Sequence, residues 1–367
     1  PIEGWLPWKQ QQHDRRSKVL KKSLEDTALR LAEKRGETAT KAIEAFESEL
    51  ATYNTKVDAG ETMKNKFKPL SPPIITRPAT LGHQFPSNIF NAMVDPIAPY
   101  GIRGIIWYQG ERNSKNVPQA MHYQQQLQTL IYFYRRHWNQ RSEGHMPENF
   151  PFQITQLPSW HAPQSEPVEG LESPWVVSRE AMRLARENIP NTFMAVSIDT
   201  GDAVELHPKN KKPIGIRHAL IALQNTYGKN VIGEGPRYQS PTVHDGTVLI
   251  EFASIGSGLR TARPTGLNAF AIAGSDRVWH WGNARIEGNK VMVSSPDVID
   301  PVAVRYAWGM NPSQRNLLYN VEGLPASPFR TDDWELFDPD AEIIEVEKPK
   351  KTNDYVPHDW DRPAIRQ

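Results

Sequence analysis

Two short segments carry residue types that could do acid–base chemistry together. The first is Trp107-Tyr108-Gln109-Gly110-Glu111-Arg112-Asn113, which ends the apolar run beginning at Gly104. Its glycine lets the backbone approach a ligand closely, Gln109 and Asn113 offer amide donors, and Glu111 supplies a carboxylate. The second runs from Asp199 to Lys211 and places His207 within a few residues of Asp199, Asp202 and Glu205. An imidazole beside a carboxylate is what a general base requires, because the acid fixes the tautomer and stabilises the protonated ring. A histidine before proline is by itself often only a capped or solvated ring, and Glu111 alone says no more. A hydrolytic triad also needs a nucleophile, and no Gly-x-Ser-x-Gly elbow occurs. The glycine-flanked serines, Ser257 in Gly256-Ser257-Gly258 and Ser275 in Gly274-Ser275-Asp276, read as turns in a β-rich part of the chain.

The elements around these segments give them a common position. Gly104 to Tyr108, Phe152 to Leu157 and Phe193 to Ile198 are short apolar runs that predict buried strands. Helical periodicity separates them: Tyr123, Leu127, Leu130, Ile131, Tyr134 and Trp138 mark one helix, Trp175 to Arg186 a second, and Ile216, Leu220, Leu223 and Tyr227 a third. Strands alternating with helices predict a parallel sheet covered on both faces, and ligands bind beyond the carboxyl ends of such strands. The Glu111 and His207 segments then become strand-end loops of one sheet, as base and orienting acid would have to be.

On either side the pattern changes. From Asp14 to about Lys66, Ile43, Phe46, Leu50, Tyr53 and Val57 form an apolar stripe, and Gly36 and Gly60 predict a break into two antiparallel helices packed on a core. Pro69 to Pro86 reads as an extended connector. After Gly235 come short β-rich pieces at Thr247–Phe252, Ala269–Ala273, Lys290–Ser294 and Val302–Trp308, which predict a small antiparallel sheet or sandwich.

Composition excludes several functions. Lys plus Arg is 43 and Asp plus Glu is 42, a net charge of +1 that gives no global field for nucleic acid or anionic membranes. Mean hydropathy is −0.60, and no apolar run approaches the roughly 20 residues of a membrane span. Cysteine is absent, which removes disulfides, thiolate nucleophiles and Cys-based zinc sites. The 11 histidines are scattered with no His-Glu-x-x-His, and no phosphate-binding Gly-x-x-x-x-Gly-Lys loop occurs. With 31 prolines and 11 tryptophans, long ordered loops with aromatic surfaces are expected.

Asn88 to Met93, Ile105 to Glu111, Arg179-Glu180-Ala181, Asn191 to Asp202, His207 to Lys211, Ala303 to Trp308 and Asn320 to Asp332 together resemble the sialate O-acetylesterase family of SGNH-type carbohydrate esterases. The resemblance implies an α/β fold with an SGNH-type parallel sheet flanked by helices and a C-terminal β-rich region. It divides the chain into a hydrolase domain at 1–235 that lacks its first strand or strands and carries a helical insertion at about 14–66, a β-rich region at 236–335, and an extended tail at 336–367. It implies removal of acetyl groups from sugar hydroxyls by a Ser-His-acid mechanism on an acetylated sugar or glycan, with no metal or organic cofactor. His207 would be the base. The family pattern has Asp three residues before this His, where Val204 stands here, so the acid stays open among Glu111, Glu205 and Asp202, in that order of preference. Gln109, Gly110 and Asn113 would serve the oxyanion or the substrate. Nothing matches the family's nucleophile segment, and Pro1-Ile2-Glu3-Gly4-Trp5 resembles the continuation of its oxyanion-binding stretch. The expectation is therefore a nucleophile outside this chain, on a preceding segment or a separate chain, with this chain alone inactive and Ile105, Ile106 and Val196 exposed at the sheet. The alternative is a non-catalytic glycan-binding or interaction protein that has lost the nucleophile. By resemblance the protein would be secreted, periplasmic or lysosomal.

Overall fold

Strand and helix alternate after residue 104 as the periodicity predicts. The structure, a computed structural model, describes residues 1–58, 83–169 and 173–336. The tail beyond 336, most of the connector at 69–86 and the expected break at Gly60 lie outside them. Contacts divide the chain into two units, one of Pro1–Ile2 with the chain from Ala98 onward, the other of Glu3–Ile97.

In the larger unit, strands Ile105–Trp107, Phe152–Thr155 and Thr192–Ala195 form a parallel sheet in that order. The central strand is buried throughout, which only a strand covered on both faces can be. Its alternation sends Gln153 and Thr155 toward helix Lys212–Asn225, where His218 meets both at 2.8 Å. An amide oxygen only accepts, so His218 Nδ1 donates to Gln153 and Nε2 accepts from Thr155. Burial lowers the pKa of His218 to about 4, which keeps the ring neutral between these partners.

Helix Val117–Arg141 begins at Asn116, whose side chain accepts from the Gln119 N–H at 2.9 Å, and it buries Tyr123, Leu127, Leu130, Ile131, Tyr134 and Trp138. Its Arg135 donates to the carbonyls of Phe150, Pro190 and Asn191, holding the entries to the second and third strands. Helix Pro174–Asn188 packs against it.

The chain from Arg237 builds two four-stranded antiparallel sheets. In one, Thr247–Ala253 and Lys290–Ser294 pair and alternate, with Val248, Ile250, Phe252, Val291 and Val293 inward. In the other, Phe270–Ala273 and Ala303–Tyr306 are buried along their whole length.

The smaller unit corrects one expectation. Arg15–Asp58 is a single 44-residue helix that passes through Gly36. A glycine inside a helix costs only about 1 kcal/mol, and Lys, Glu, Ala and Arg flank this one, so propagation wins over the break. Without a fold-back at Gly36, Ile43 and Leu50 of the stripe remain 40% and 37% exposed. No described helix is long and apolar enough to cross a membrane.

Candidate active site

The loop after the first strand is built on a relay of hydrogen bonds. Trp107 Nε1 donates to the Tyr123 hydroxyl at 3.0 Å, and that hydroxyl donates to the Gln109 carbonyl at 2.7 Å. Gln109 Nε2 in turn donates to Asn113 Oδ1 at 3.0 Å, which also accepts the Ile2 N–H at 3.0 Å. Asn113 is 0% exposed, so it acts here by holding Gln109 and the Pro1–Ile2 backbone together. Glu111 opens a short 3-10 turn, is half-buried, and accepts the Gly110 N–H at 3.0 Å through Oε2. A Cβ on Gly110 would lie 2.5 Å from Met182 Cε and 3.2 Å from Leu157 Cδ2, so the loop passes close to helix Pro174–Asn188, and a side chain there would displace the end of Met182. The same helix reaches back: Ser178, 2.6 Å from Ser114, donates to it, because Ser114 spends its own proton on the Gly110 carbonyl at 2.9 Å.

The His207 segment is anchored at its start. Asp199 takes both Arg217 Nη groups, at 2.7 and 2.6 Å, and the Tyr319 hydroxyl at 3.1 Å. Burial lowers the Arg217 pKa, but the adjacent Asp199 carboxylate more than offsets this and raises it. Next, Gly201–Asp202 pairs in parallel with Ser159–Trp160. Asp202 Oδ1 then accepts the N–H groups of Val204 and Glu205 at 2.8 and 3.0 Å, closing the turn that leads to His207. His207 is exposed, and among the described residues its ring makes no hydrogen bond. Further on, Lys211 Nζ donates to the Tyr108 hydroxyl at 2.8 Å and lies 4.8 Å from the centroid of its ring.

The two loops therefore meet through Tyr108 and Lys211, which flank Gln109–Glu111 on one side and His207 on the other. Asp199 is committed to Arg217, and Asp202 to its own turn. Ser257 lies in an exposed turn, with its N–H and hydroxyl donating to Glu322 Oε1 at 2.9 and 2.6 Å, and Ser275 is also in a turn. Three residues that build these loops, Tyr123, Ser178 and Arg217, passed in the sequence as parts of helices. Their signal was a hydroxyl or a charge at a position that helical spacing makes buried.

Gly201 offers a direct test of this scaffold. Its φ is +124°, and a Cβ there would fall 2.0 Å from the Ser159 carbonyl oxygen. Gly201→Ala should therefore part the Ser159–Trp160 and Gly201–Asp202 strands and lower the unfolding free energy by about 2 kcal/mol or more. Urea denaturation checks this; an unchanged midpoint would show that the loop yields without cost.

Comparison with known proteins gives a family likeness. Residues 80–223 match the family described as carbohydrate esterase, sialic acid-specific acetylesterase. Sialate O-acetylesterase of Mus musculus is 28% identical over 260 residues, covering 66% of this chain and 47% of that protein. The Homo sapiens enzyme is 28% identical over 259 residues, covering 66% and 48%. The crystal structure of a carbohydrate acetylesterase from Xanthomonas citri superposes with a TM-score of 0.62 at 35% identity, covering 69% of this chain and 55% of that one. The chain spans about half the length of the curated relatives it matches. Matched segment, relatives and fold agree: residues 80–223 match the sialic acid-specific acetylesterase family, and the chain is similar to sialate O-acetylesterases and to a carbohydrate acetylesterase.

Proposed function

We propose that this chain supplies the base and acid of a carbohydrate O-acetylesterase similar to sialate O-acetylesterase. The observation that carries this reading is the Tyr108–Lys211 contact, which brings the Glu111 and His207 loops together at the carboxyl ends of the sheet. A serine hydroxyl attacks the acetyl carbonyl while His207 accepts its proton. Collapse of the tetrahedral intermediate expels the sugar oxygen, which takes that proton back, and water then releases acetate by the same route. Glu111 is the first choice to orient the imidazole, ahead of Glu205 and Asp202. Backbone N–H groups, with Gln109, stabilise the oxyanion, and buried Asn113 holds Gln109 in place.

The serine is assigned to a segment outside these 367 residues. Among the described residues Ile105–Trp107 is an edge strand with Ile106 56% exposed, a place where a further parallel strand would pair and bury apolar surface. The expected exposure of Val196 is corrected: it is 8% exposed, because the chain beyond the third strand continues into the region covered by helix Lys212–Asn225. A fluorophosphonate probe on the native protein, followed by peptide mapping, should label a serine outside this chain. Label on Ser257 or Ser275 would overturn the scheme, and absence of both label and ester hydrolysis would favour the non-catalytic glycan-binding alternative.

A further inference from the structure

Arg179 is 0% exposed, yet among the described residues its guanidinium is hydrogen-bonded to no carboxylate. Its donors go instead to four backbone carbonyls: Nε to Leu157 at 2.8 Å, Nη1 to Gly309 at 2.7 Å, and Nη2 to Pro158 at 2.7 Å and Met310 at 2.8 Å. Burial lowers its pKa to about 9, against the pull of Glu169, so the group remains a cation at neutral pH. A buried charge satisfied only by backbone dipoles is an expensive way to fill space, and an apolar side chain would fill it more cheaply. What the guanidinium adds is a planar fork that fixes two backbone segments relative to each other.

One of those segments, Leu157–Pro158, leads directly into the strand that holds the His207 loop. Ser159 N–H donates to the Thr200 carbonyl at 3.0 Å, Trp160 pairs with Asp202, and Asp202 closes the turn at Val204 and Glu205. The other segment belongs to the β-rich region and is tied to the same stretch by further bonds. The Trp160 N–H donates to the Met310 carbonyl at 3.3 Å, Asn311 Nδ2 to the His161 carbonyl at 2.7 Å, and the Gln164 N–H to the Asn311 carbonyl at 2.9 Å. At the centre of this strap His161, buried and not a glycine, stands at φ +70°, a conformation that persists only where its surroundings over-determine it.

We infer that Arg179 is a positioning residue of the active site. By clamping Leu157–Pro158 to Gly309–Met310 it holds Ser159–Trp160 against Gly201–Asp202 and so sets where His207 stands. The 309–311 segment of the β-rich region is thereby a working part of the hydrolase and not an appended module. The assignment rests on the acetylesterase reading for its catalytic consequence, but the mechanical link from Arg179 to the loop does not.

The test compares Arg179→Lys with Asn311→Ala in the native protein. Arg179→Lys keeps the charge but loses the fork, and Asn311→Ala removes the side-chain bond to the His161 carbonyl. Arg186→Gln is the control, since it breaks the half-buried pair to Glu234 at 3.1 and 2.6 Å toward the other end of the same helix. Hydrogen exchange should accelerate about 10-fold at residues 199–211 in both test variants, with residues 237–253 unchanged. For a small aryl acetate, kcat should fall about 10- to 100-fold in Arg179→Lys and about 3- to 10-fold in Asn311→Ala, with KM within about twofold; Arg186→Gln should lower Tm and leave kcat unchanged. If Arg179→Lys does not fold, Asn311→Ala decides alone. Exchange at 199–211 equal to wild type in the folded variants would overturn the inference, as would kcat losses no larger than those of Arg186→Gln. A protein that hydrolyses no acetyl ester but shows the exchange change would remove the esterase reading and leave the clamp standing.

Discussion

In the native protein, His207→Ala should lower kcat for acetyl ester hydrolysis by about 1,000-fold or more, with little change in Tm. The size follows from the role: without the imidazole the serine keeps its proton in the attacking step, and the leaving sugar oxygen has no acid to protonate it. The stability expectation follows from the structure. His207 is exposed and makes no hydrogen bond among the described residues, so its removal unsatisfies nothing in the core. Steady-state kinetics on a small aryl acetate and on an acetylated sugar, with a thermal melt beside them, measure both. A variant that retains wild-type turnover would remove His207 from the mechanism.

Glu111→Gln should cost about 100- to 10,000-fold in kcat, far more than Glu205→Gln or Asp202→Asn. Only the carboxylate that faces the imidazole stabilises the imidazolium formed in the transition state, and an amide at that position also favours the wrong tautomer. The substitution is conservative for the fold, because a glutamine oxygen can still accept the Gly110 N–H that Glu111 Oε2 accepts at 3.0 Å. Asp202→Asn likewise keeps an oxygen for the Val204 and Glu205 N–H groups, which bond it at 2.8 and 3.0 Å, so the turn survives and the loss should stay within about threefold. kcat for the three variants under one condition separates the roles, since only loss of the orienting acid should be large. Comparable mild losses in all three would mean that another group orients His207; a dominant loss in Glu205→Gln would transfer the role to it.

Much of this architecture is legible in the chain itself. Apolar runs at 105–107, 152–155 and 192–195, separated by helical periodicity, predict a parallel sheet, and its central run is buried on both faces while Ile106 of the first run stays exposed. Their order along the chain places Glu111 and His207 on strand-end loops, and the motifs around them carry the family likeness. The misread parts are those where a local signal competes with a non-local one. Gly36 suggested a break, but a single glycine is outweighed by the helix formers around it, and the stripe at Ile43 and Leu50 stayed exposed.

Only the tertiary structure decided what each polar residue of the site is bonded to. Asp199, Asp202 and Glu205 are alike in sequence as neighbours of His207, yet Arg217 and Tyr319 claim Asp199, and the backbone of its own turn claims Asp202. Asn113, a candidate donor by type, is buried under Ile2 and Gln109. Arg179 reads as part of a helical motif with no stated role until the carbonyls of Leu157 and Gly309, 152 positions apart along the chain, are found on the same guanidinium. Periodicity reports which face of an element is buried, and so the sequence by itself determined the elements, the sheet and the two loops that matter. A hydrogen-bond partner is set by distance in space between residues far apart in the chain, which no local pattern encodes, and so the division of labour within those loops belonged to the fold.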